Sequence, residues 1–132
     1  MATFNISSRS ELLSAIGSAR PGDELVLANG NYGSISSSAA FAAPGITIRA
    51  ENRLGATIDR IELPDAAGIT LSGVRADAIR MPDASRIRVE ASDVGYMDAN
   101  RAEDIEIVGN AIGKAGANQA VILNDVIGFE VS

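Results

Sequence analysis

The sequence contains no cysteine, no histidine and no tryptophan. Without these groups the chain cannot form disulfides, zinc sites of the Cys/His type, thiol nucleophiles or a Ser-His-Asp triad. Lysine occurs once, at Lys114, and the aromatic residues are two tyrosines and three phenylalanines. The formal net charge is −6. Because an acidic chain with so few lysines and aromatic rings is poorly suited to nucleic acid, we expect no nucleic-acid partner.

Long apolar runs are also missing. The longest are short and consist mostly of alanine, which predicts no membrane-spanning helix and no membrane partner. The chain does not open with a positively charged segment followed by an apolar one, so we predict no Sec signal peptide. A chain of 132 residues has the length of one domain.

Apolar-x-apolar triplets recur along the whole chain. The first strand series comprises Leu25–Leu27, Ile46–Ile48, Ile69–Leu71, Ile87–Val89, Ile105–Ile107 and Phe129–Val131. The second strand series precedes four of these by a constant interval and comprises Ile61–Leu63, Ile79–Met81, Met97–Ala99 and Val121–Leu123. Such short, strictly alternating segments are typical of strands. A period of about 20 residues that contains two strands indicates a β-solenoid.

The turn that joins the two series repeats as well. The segment LPDAAGITL at 63–71 aligns with MPDASRIRV at 81–89, which places Pro64 and Pro82 at equivalent positions of consecutive repeats. Asn100 and Asn124 stand at the equivalent positions of the next two repeats. Proline presets φ and asparagine bonds its own backbone, so both residue types favour a turn.

A constant repeat length predicts columns of stacked side chains. The expected inward columns are Ile69, Ile87 and Ile105; Leu71, Val89 and Ile107; Ile79, Met97 and Val121; and Ala76, Val94 and Ile112. The expected outward columns alternate in charge: Glu62, Arg80 and Asp98; Arg88 and Glu106; and Arg86 and Asp104. Opposite charges on neighbouring strands stabilise their pairing, so these columns predict charge ladders.

The segment SRSELLSAIGSAR at 8–20 predicts an amphipathic helix. Ser8 and Glu11 have the spacing of a capping box, and Pro21 follows the helix. The apolar face comprises Leu12, Ala15, Ile16 and Ala19. We therefore predict an all-β fold, a right-handed parallel β-helix of about six coils in a single domain over 1–132. Residues 1–24 would form an N-terminal cap with the helix, and 25–132 the coils. A small antiparallel β-sandwich remains the alternative, although it gives no reason for a constant register between repeats.

The last strand of the sequence lacks a polar cap, since only Ser132 follows Phe129–Val131. An open solenoid end exposes unpaired backbone groups and an apolar cross-section. Two explanations stay open: the chain is the first part of a longer solenoid, or the bare ends of two chains pair as a homo-oligomer. The candidate interface residues are Leu123, Phe129 and Val131.

The segment at 4–38 resembles the N-terminal part of right-handed parallel β-helix proteins of the pectate-lyase-like superfamily. The resemblance lies in SELLSAIGSA, followed by PGDELVLANGNYG at 21–33. It is closest to the group of chondroitinase B and alginate lyases and to mannuronan-epimerase-like modules. GITIRAENRLGATID at 45–59 also resembles that group, and VGNAI at 108–112 resembles a common coil segment of the superfamily. The resemblance implies an acidic polysaccharide as partner. It also implies an extracellular location, because similar acidic, cysteine-free proteins are exported by type I secretion.

Lyases of that group use a lysine and an arginine beside calcium that is held by Asn and Glu, and no positions of this chain carry these roles over. Lys114 lies in the connector 112–120, without a neighbour that would lower its pKa, which favours a solvated lysine. Asp65 and Asp83 would stack at one turn position, where their oxygens suit calcium. Arg101 occupies the next position of that column, which favours a turn-forming role instead. We therefore predict no catalytic residue, no metal ligand and no cofactor, with calcium as the weak alternative.

Sugars are bound by exposed aromatic and arginine side chains. Arg80 and Arg88, at outward strand positions, and Tyr96, in the connector before 97–99, are therefore the candidate ligand-binding residues. Three functions follow: a noncatalytic β-helix scaffold segment of a polysaccharide-lyase-like or epimerase-like extracellular protein, a self-associating module, or a small polysaccharide lyase. The scarcity of lysine and histidine favours the first.

Overall fold

The computed structural model describes residues 3–42, 45–108, 111–112, 121–124 and 130–131. Within them lie one helix and fourteen short strands. Their bounds are β1 Thr3–Ile6, α1 Arg9–Ser18, β2 Glu24–Leu27, β3 Gly30–Asn31, β4 Ser34–Ser36, β5 Ile46–Ala50, β6 Ala56–Glu62, β7 Ala67–Ser72, β8 Arg75–Pro82, β9 Ser85–Glu90, β10 Asp93–Asn100, β11 Glu103–Val108, β12 Ala111–Ile112, β13 Val121–Asn124 and β14 Glu130–Val131. No helix in these residues has the length and apolarity that a membrane crossing requires.

The first strand series forms one sheet. Its order is β1-β2-β5-β7-β9-β11-β14, and every neighbouring pair is parallel. Five of the predicted triplets lie within β2, β5, β7, β9 and β11, and the sixth overlaps β14, while Phe129 itself lies outside the described residues. Strands that neighbour one another in the sheet are one repeat apart in the sequence, as a parallel stack requires.

The second strand series forms a second parallel sheet, of order β12-β10-β8-β6-β3, in which β13 also pairs with β10 and β4 with β6. These strands are longer than their triplets. Strands β6, β8 and β10 begin before their triplets, and in β8 the outward Asp77 and Ala78 are consecutive between the buried Ala76 and Ile79. Tyr96 therefore lies within β10 rather than in a connector.

The predicted inward columns have the expected register. Ile69 pairs with Ile87 and Ile87 with Ile105, and the other three columns are equally in register. The members of these columns up to residue 107 are buried and belong to one core between the two sheets. Burying one large apolar side chain of these columns stabilises a fold by about 1.5–3 kcal/mol, so the repeated columns contribute substantially to stability.

Left-handed backbone recurs at the corners of the repeat. Asp65, Asp83 and Arg101 occupy equivalent positions of consecutive repeats and have φ of 58°, 59° and 55°. Each non-glycine residue in this conformation costs about 1–2 kcal/mol, so the stacked strands must hold these corners in place. The turn that Pro64 and Pro82 predict therefore has the same backbone conformation in consecutive repeats.

The helix α1 confirms the sequence prediction, although it ends at Ser18 rather than at residue 20. The Ser8 hydroxyl accepts a hydrogen bond from the Glu11 N–H at 3.2 Å, as an N-cap residue does. The Glu11 carboxylate accepts from the Ser7 hydroxyl at 2.8 Å. The buried face of α1 joins the core through Leu12, Ala15 and Ile16.

Strand β1 is not predicted from the sequence, because TFNI is short and has no repeat partner of its own. It pairs in parallel with β2, from Thr3 opposite Glu24 to Ile6 opposite Leu27. The Tyr32 hydroxyl joins the two strand ends, since it lies 3.0 Å from the Ile6 carbonyl oxygen and 2.7 Å from that of Ala28. Tertiary contacts therefore create this strand.

Candidate functional site

A cavity of about 230 Å³ lies on the outer face of β6, β8 and β10. Glu62, Arg80 and Asp98 form one wall, because the register places these three residues side by side. Pro64 and Pro82, from the repeated turn, supply its apolar surface. The repeat thus places a guanidinium between two carboxylates, in a row beside two proline rings.

The polar groups around this cavity contact one another only loosely. Arg80 Nη2 lies 3.9 Å from Asp98 Oδ2, and the Tyr96 hydroxyl donates to the same oxygen at 3.4 Å. On the opposite side, Arg60 Nη1 lies 3.5 Å from Glu62 Oε1. Hydrogen bonds to charged groups are typically about 2.7–2.9 Å long, so the polar groups of this cavity bond one another only weakly.

The structure brings together two of the three predicted ligand-binding residues. Arg80 and Tyr96 meet at Asp98, whereas Arg88 lies on β9 in the other sheet and pairs with Glu106 and Glu90. Arg60 was not singled out from the sequence, although the register places it in one row with Ala78 and Tyr96. The equal spacing of positions 60, 78 and 96, one repeat apart, is the signal that could have found it.

Four ion pairs join equivalent positions of consecutive repeats and connect neighbouring strands or turns. They are Arg75–Asp93, Arg80–Asp98, Arg88–Glu106 and Asp83–Arg101. The predicted ladders at Arg80 and Arg88 are therefore present, whereas Arg86 donates to the Phe41 carbonyl oxygen at 2.7 Å instead of reaching Asp104. Exposed ion pairs contribute up to about 1 kcal/mol each, and their larger effect is to neutralise the arginines of the outer faces.

The Asp65–Asp83 turn does not fit a calcium ion. Arg101 Nε lies 3.0 Å from Asp83 Oδ1, so a guanidinium already occupies the place of a cation beside this carboxylate. Within residues 3–42 and 45–108, no three Asp or Glu side chains lie close enough together to hold a metal. The Asp83 carboxylate is therefore paired with an arginine of the next repeat.

Two groups with displaced pKa values lie in the N-terminal segment, away from the cavity. The hydrogen bond from Ser7 lowers the pKa of Glu11, and burial raises the pKa of Tyr32. Lys114 lies outside the described residues. Of the predicted interface residues, Leu123 belongs to β13 and Val131 to β14.

No protein-family model and no curated protein matches the sequence. The structure is similar to that of an alginate lyase from Paenibacillus sp. str. FPU-7, with a TM-score of 0.78 and 18% identity over 99% of this chain. It is also similar to the PL6 family alginate lyase AlyGC, with a TM-score of 0.51 and 21% identity over 99% of this chain. The chain spans 58% of the first lyase and 24% of the second. These similarities show that the chain has a parallel β fold of the kind found in these two alginate lyases.

Proposed function

We propose that this chain is a noncatalytic β-helix scaffold segment of a polysaccharide-lyase-like or epimerase-like extracellular protein. Its two sheets would be faces of one right-handed solenoid of about six coils, with α1 as its N-terminal cap. Right-handed connection is the rule for parallel strands in one sheet. The buried face of α1 supports the capping role, since it packs on β1 and β2 at the start of the first sheet.

The observation that carries this proposal is that several arginines on the outer faces are paired with carboxylates of the chain itself. Binding and cleaving a polyuronate requires cations that are free to meet its carboxylates. Here Arg49, Arg75 and Arg101 each have a carboxylate of a neighbouring strand or turn within 3.6 Å. Of the candidate ligand-binding arginines, Arg88 pairs with Glu90 and Glu106, and Arg80 lies 3.9 Å from Asp98.

The activity test is incubation with alginate and with chondroitin while the absorbance of unsaturated uronates is recorded. We expect no increase over the buffer control, whereas an active alginate lyase on the same alginate gives a steady rise. Turnover that disappears in Lys114→Ala, and persists in the Arg53→Ala control, would overturn the noncatalytic proposal in favour of a small polysaccharide lyase.

A self-associating module is the second candidate function, because β14 is the terminal strand of the first sheet among the described residues. We propose Leu123, Phe129 and Val131 as its interface residues. Light scattering over a range of concentrations tests it. A dimer that dissociates in Phe129→Asp and persists in the control Thr70→Asp, on the outer face of β7, would favour this function. A monomer at every concentration would contradict it.

A further inference from the structure

The cavity beside Arg80 has a chemical character that a scaffold does not require. We propose that the cavity lined by Glu62, Pro64, Arg80, Pro82 and Asp98 binds one ring of a neutral saccharide. This inference goes beyond the scaffold function, since it assigns a ligand to the outer face of β6, β8 and β10. It also reverses the expectation of an acidic polysaccharide at this place.

The charges of the wall argue against ionic ligands of either sign. Arg80 lies between Glu62 and Asp98, with one carboxylate on each neighbouring strand. A uronate that approached Arg80 would come close to both carboxylates, and repulsion would cancel much of the attraction. A cation that approached either carboxylate would meet Arg80 in the same way. The row thus favours an uncharged ligand.

The same row offers both hydrogen-bond donors and acceptors. The Arg80 side chain is 49% exposed and lies 3.9 Å from its nearest carboxylate oxygen, beyond ordinary hydrogen-bond distance. Glu62 and Asp98 retain lone pairs, because an ionised carboxylate has about four acceptor sites. By contrast, the pair Arg49–Glu24 is closed at 2.9 Å. Sugar hydroxyls both donate and accept, so they match the loosely paired row.

The two prolines that line the cavity match the apolar face of a sugar ring. Pro64 and Pro82 come from the same position of consecutive repeats, and both line the cavity. A pyranose ring has an apolar face of C–H groups, which can be buried against the proline rings while its hydroxyls face Arg80 and Asp98. A volume of about 230 Å³ is below the range of drug-sized sites, about 300–1,000 Å³, and is sufficient for one ring.

The experiment is an NMR titration of the whole chain with three probes: cellohexaose, mannohexaose and a mannuronate hexasaccharide. Concentrations up to about 10 mM are needed, because a shallow single-ring site supports only about millimolar affinity. We expect saturable shifts with at least one neutral probe, at the amides of Glu62, Leu63, Arg80, Met81 and Asp98. The mannuronate probe should give smaller shifts at the same concentration.

Arg80→Gln and Arg88→Gln form a matched pair of variants. Both arginines lie in charge ladders and their side chains are similarly exposed, 49% and 42%, but Arg88 lies on the other sheet. We expect Arg80→Gln to weaken neutral-saccharide binding about tenfold, as the loss of a hydrogen bond to a charged group typically does. Arg88→Gln should leave it unchanged. If Arg80→Gln does not fold, the shift map of the unmodified chain decides.

The proposal is overturned if neither neutral probe gives saturable shifts, if the shifts lie elsewhere, if the mannuronate probe binds more tightly, or if the two variants behave alike. Failure here is distinct from failure of the scaffold function. Cleavage of alginate would overturn the scaffold function and leave the neutral site standing, whereas missing shifts would overturn the site alone.

Discussion

The Arg86 guanidinium donates a hydrogen bond to the Phe41 carbonyl oxygen, 45 residues earlier in the chain, at 2.7 Å. Phe41 belongs to the segment 37–42, whose Ala40 bridges in parallel to Ala67. The Phe41 N–H also donates to the Ala67 carbonyl oxygen at 2.9 Å. Arg86 therefore fastens an irregular segment to the repeated part of the fold.

Arg86→Ala should loosen that segment. We expect the Phe41 amide to exchange its hydrogen about tenfold faster, because a hydrogen bond of this type contributes about 1 kcal/mol or more. Hydrogen–deuterium exchange with mass spectrometry measures this. The exposed Arg53, replaced by alanine, is the control and should leave that exchange rate as it is. Equal rates in both variants would show that Arg86 does not hold the segment.

Gly45→Ala should be strongly destabilising, by about 2 kcal/mol or more, because left-handed backbone and overpacking each add a cost. Gly45 has φ of +76°, and a Cβ at this position would overlap the backbone carbonyl of Gly68. The control is Gly17→Ala in α1, where nothing lies within 4 Å of the added carbon. Alanine in a helix is favoured over glycine by about 0.5–1 kcal/mol, so this control should be stabilising. Urea denaturation of both variants gives the comparison, and equal midpoints would contradict the close approach.

Ser92→Ala should cost about 1–3 kcal/mol, although it removes a single oxygen. The Ser92 side chain is fully buried, accepts from the Val74 N–H at 3.2 Å and donates to the Glu90 carbonyl oxygen at 2.8 Å. Loss of the Ser92 hydroxyl removes the acceptor that the Val74 N–H has in the next repeat. Ser18→Ala, at an exposed helical serine, should be close to neutral in the same urea assay. Two neutral variants would show that water replaces the Ser92 hydroxyl.

Stability should decrease in alkali because of Tyr32. Burial raises the pKa of this phenol above its ordinary value of 10.0, so the folded state keeps it neutral while the unfolded state ionises. The stability that the neutral Tyr32 phenol contributes is therefore fully present below about pH 10 and is lost as pH rises through the pKa of the folded state. Tyr32→Phe should lower stability by about 1–2 kcal/mol at neutral pH and reduce the alkaline decrease. Denaturation midpoints from pH 7 to about pH 11 measure both effects, and Tyr96→Phe, which keeps Tyr32, should retain the decrease.

The repeated residues were predictable because one local rule recurs in every repeat. Each triplet of the first strand series alternates so that one face can be buried, and the constant spacing places Ile69, Ile87 and Ile105 in one column. The capping residues Ser8 and Glu11 were predictable because the hydrogen bond that they make joins residues only three positions apart. Arg80 and Asp98 meet because their spacing equals the repeat length.

The nonrepeated contacts were decided by tertiary structure. Strand β1 forms because it pairs with β2 and contacts the Tyr32 hydroxyl. A segment of four residues carries no sequence pattern from which its pairing with a strand beyond the helix could be predicted. Arg86 has the spacing of a ladder residue relative to Asp104, yet the segment 37–42 offers it a backbone carbonyl instead. The sequence alone thus determines which residues stack, since backbone pairing makes neighbours of equivalent positions. Only the folded chain decides which outward side chains are left to form the cavity beside Arg80, because competing partners come from distant segments.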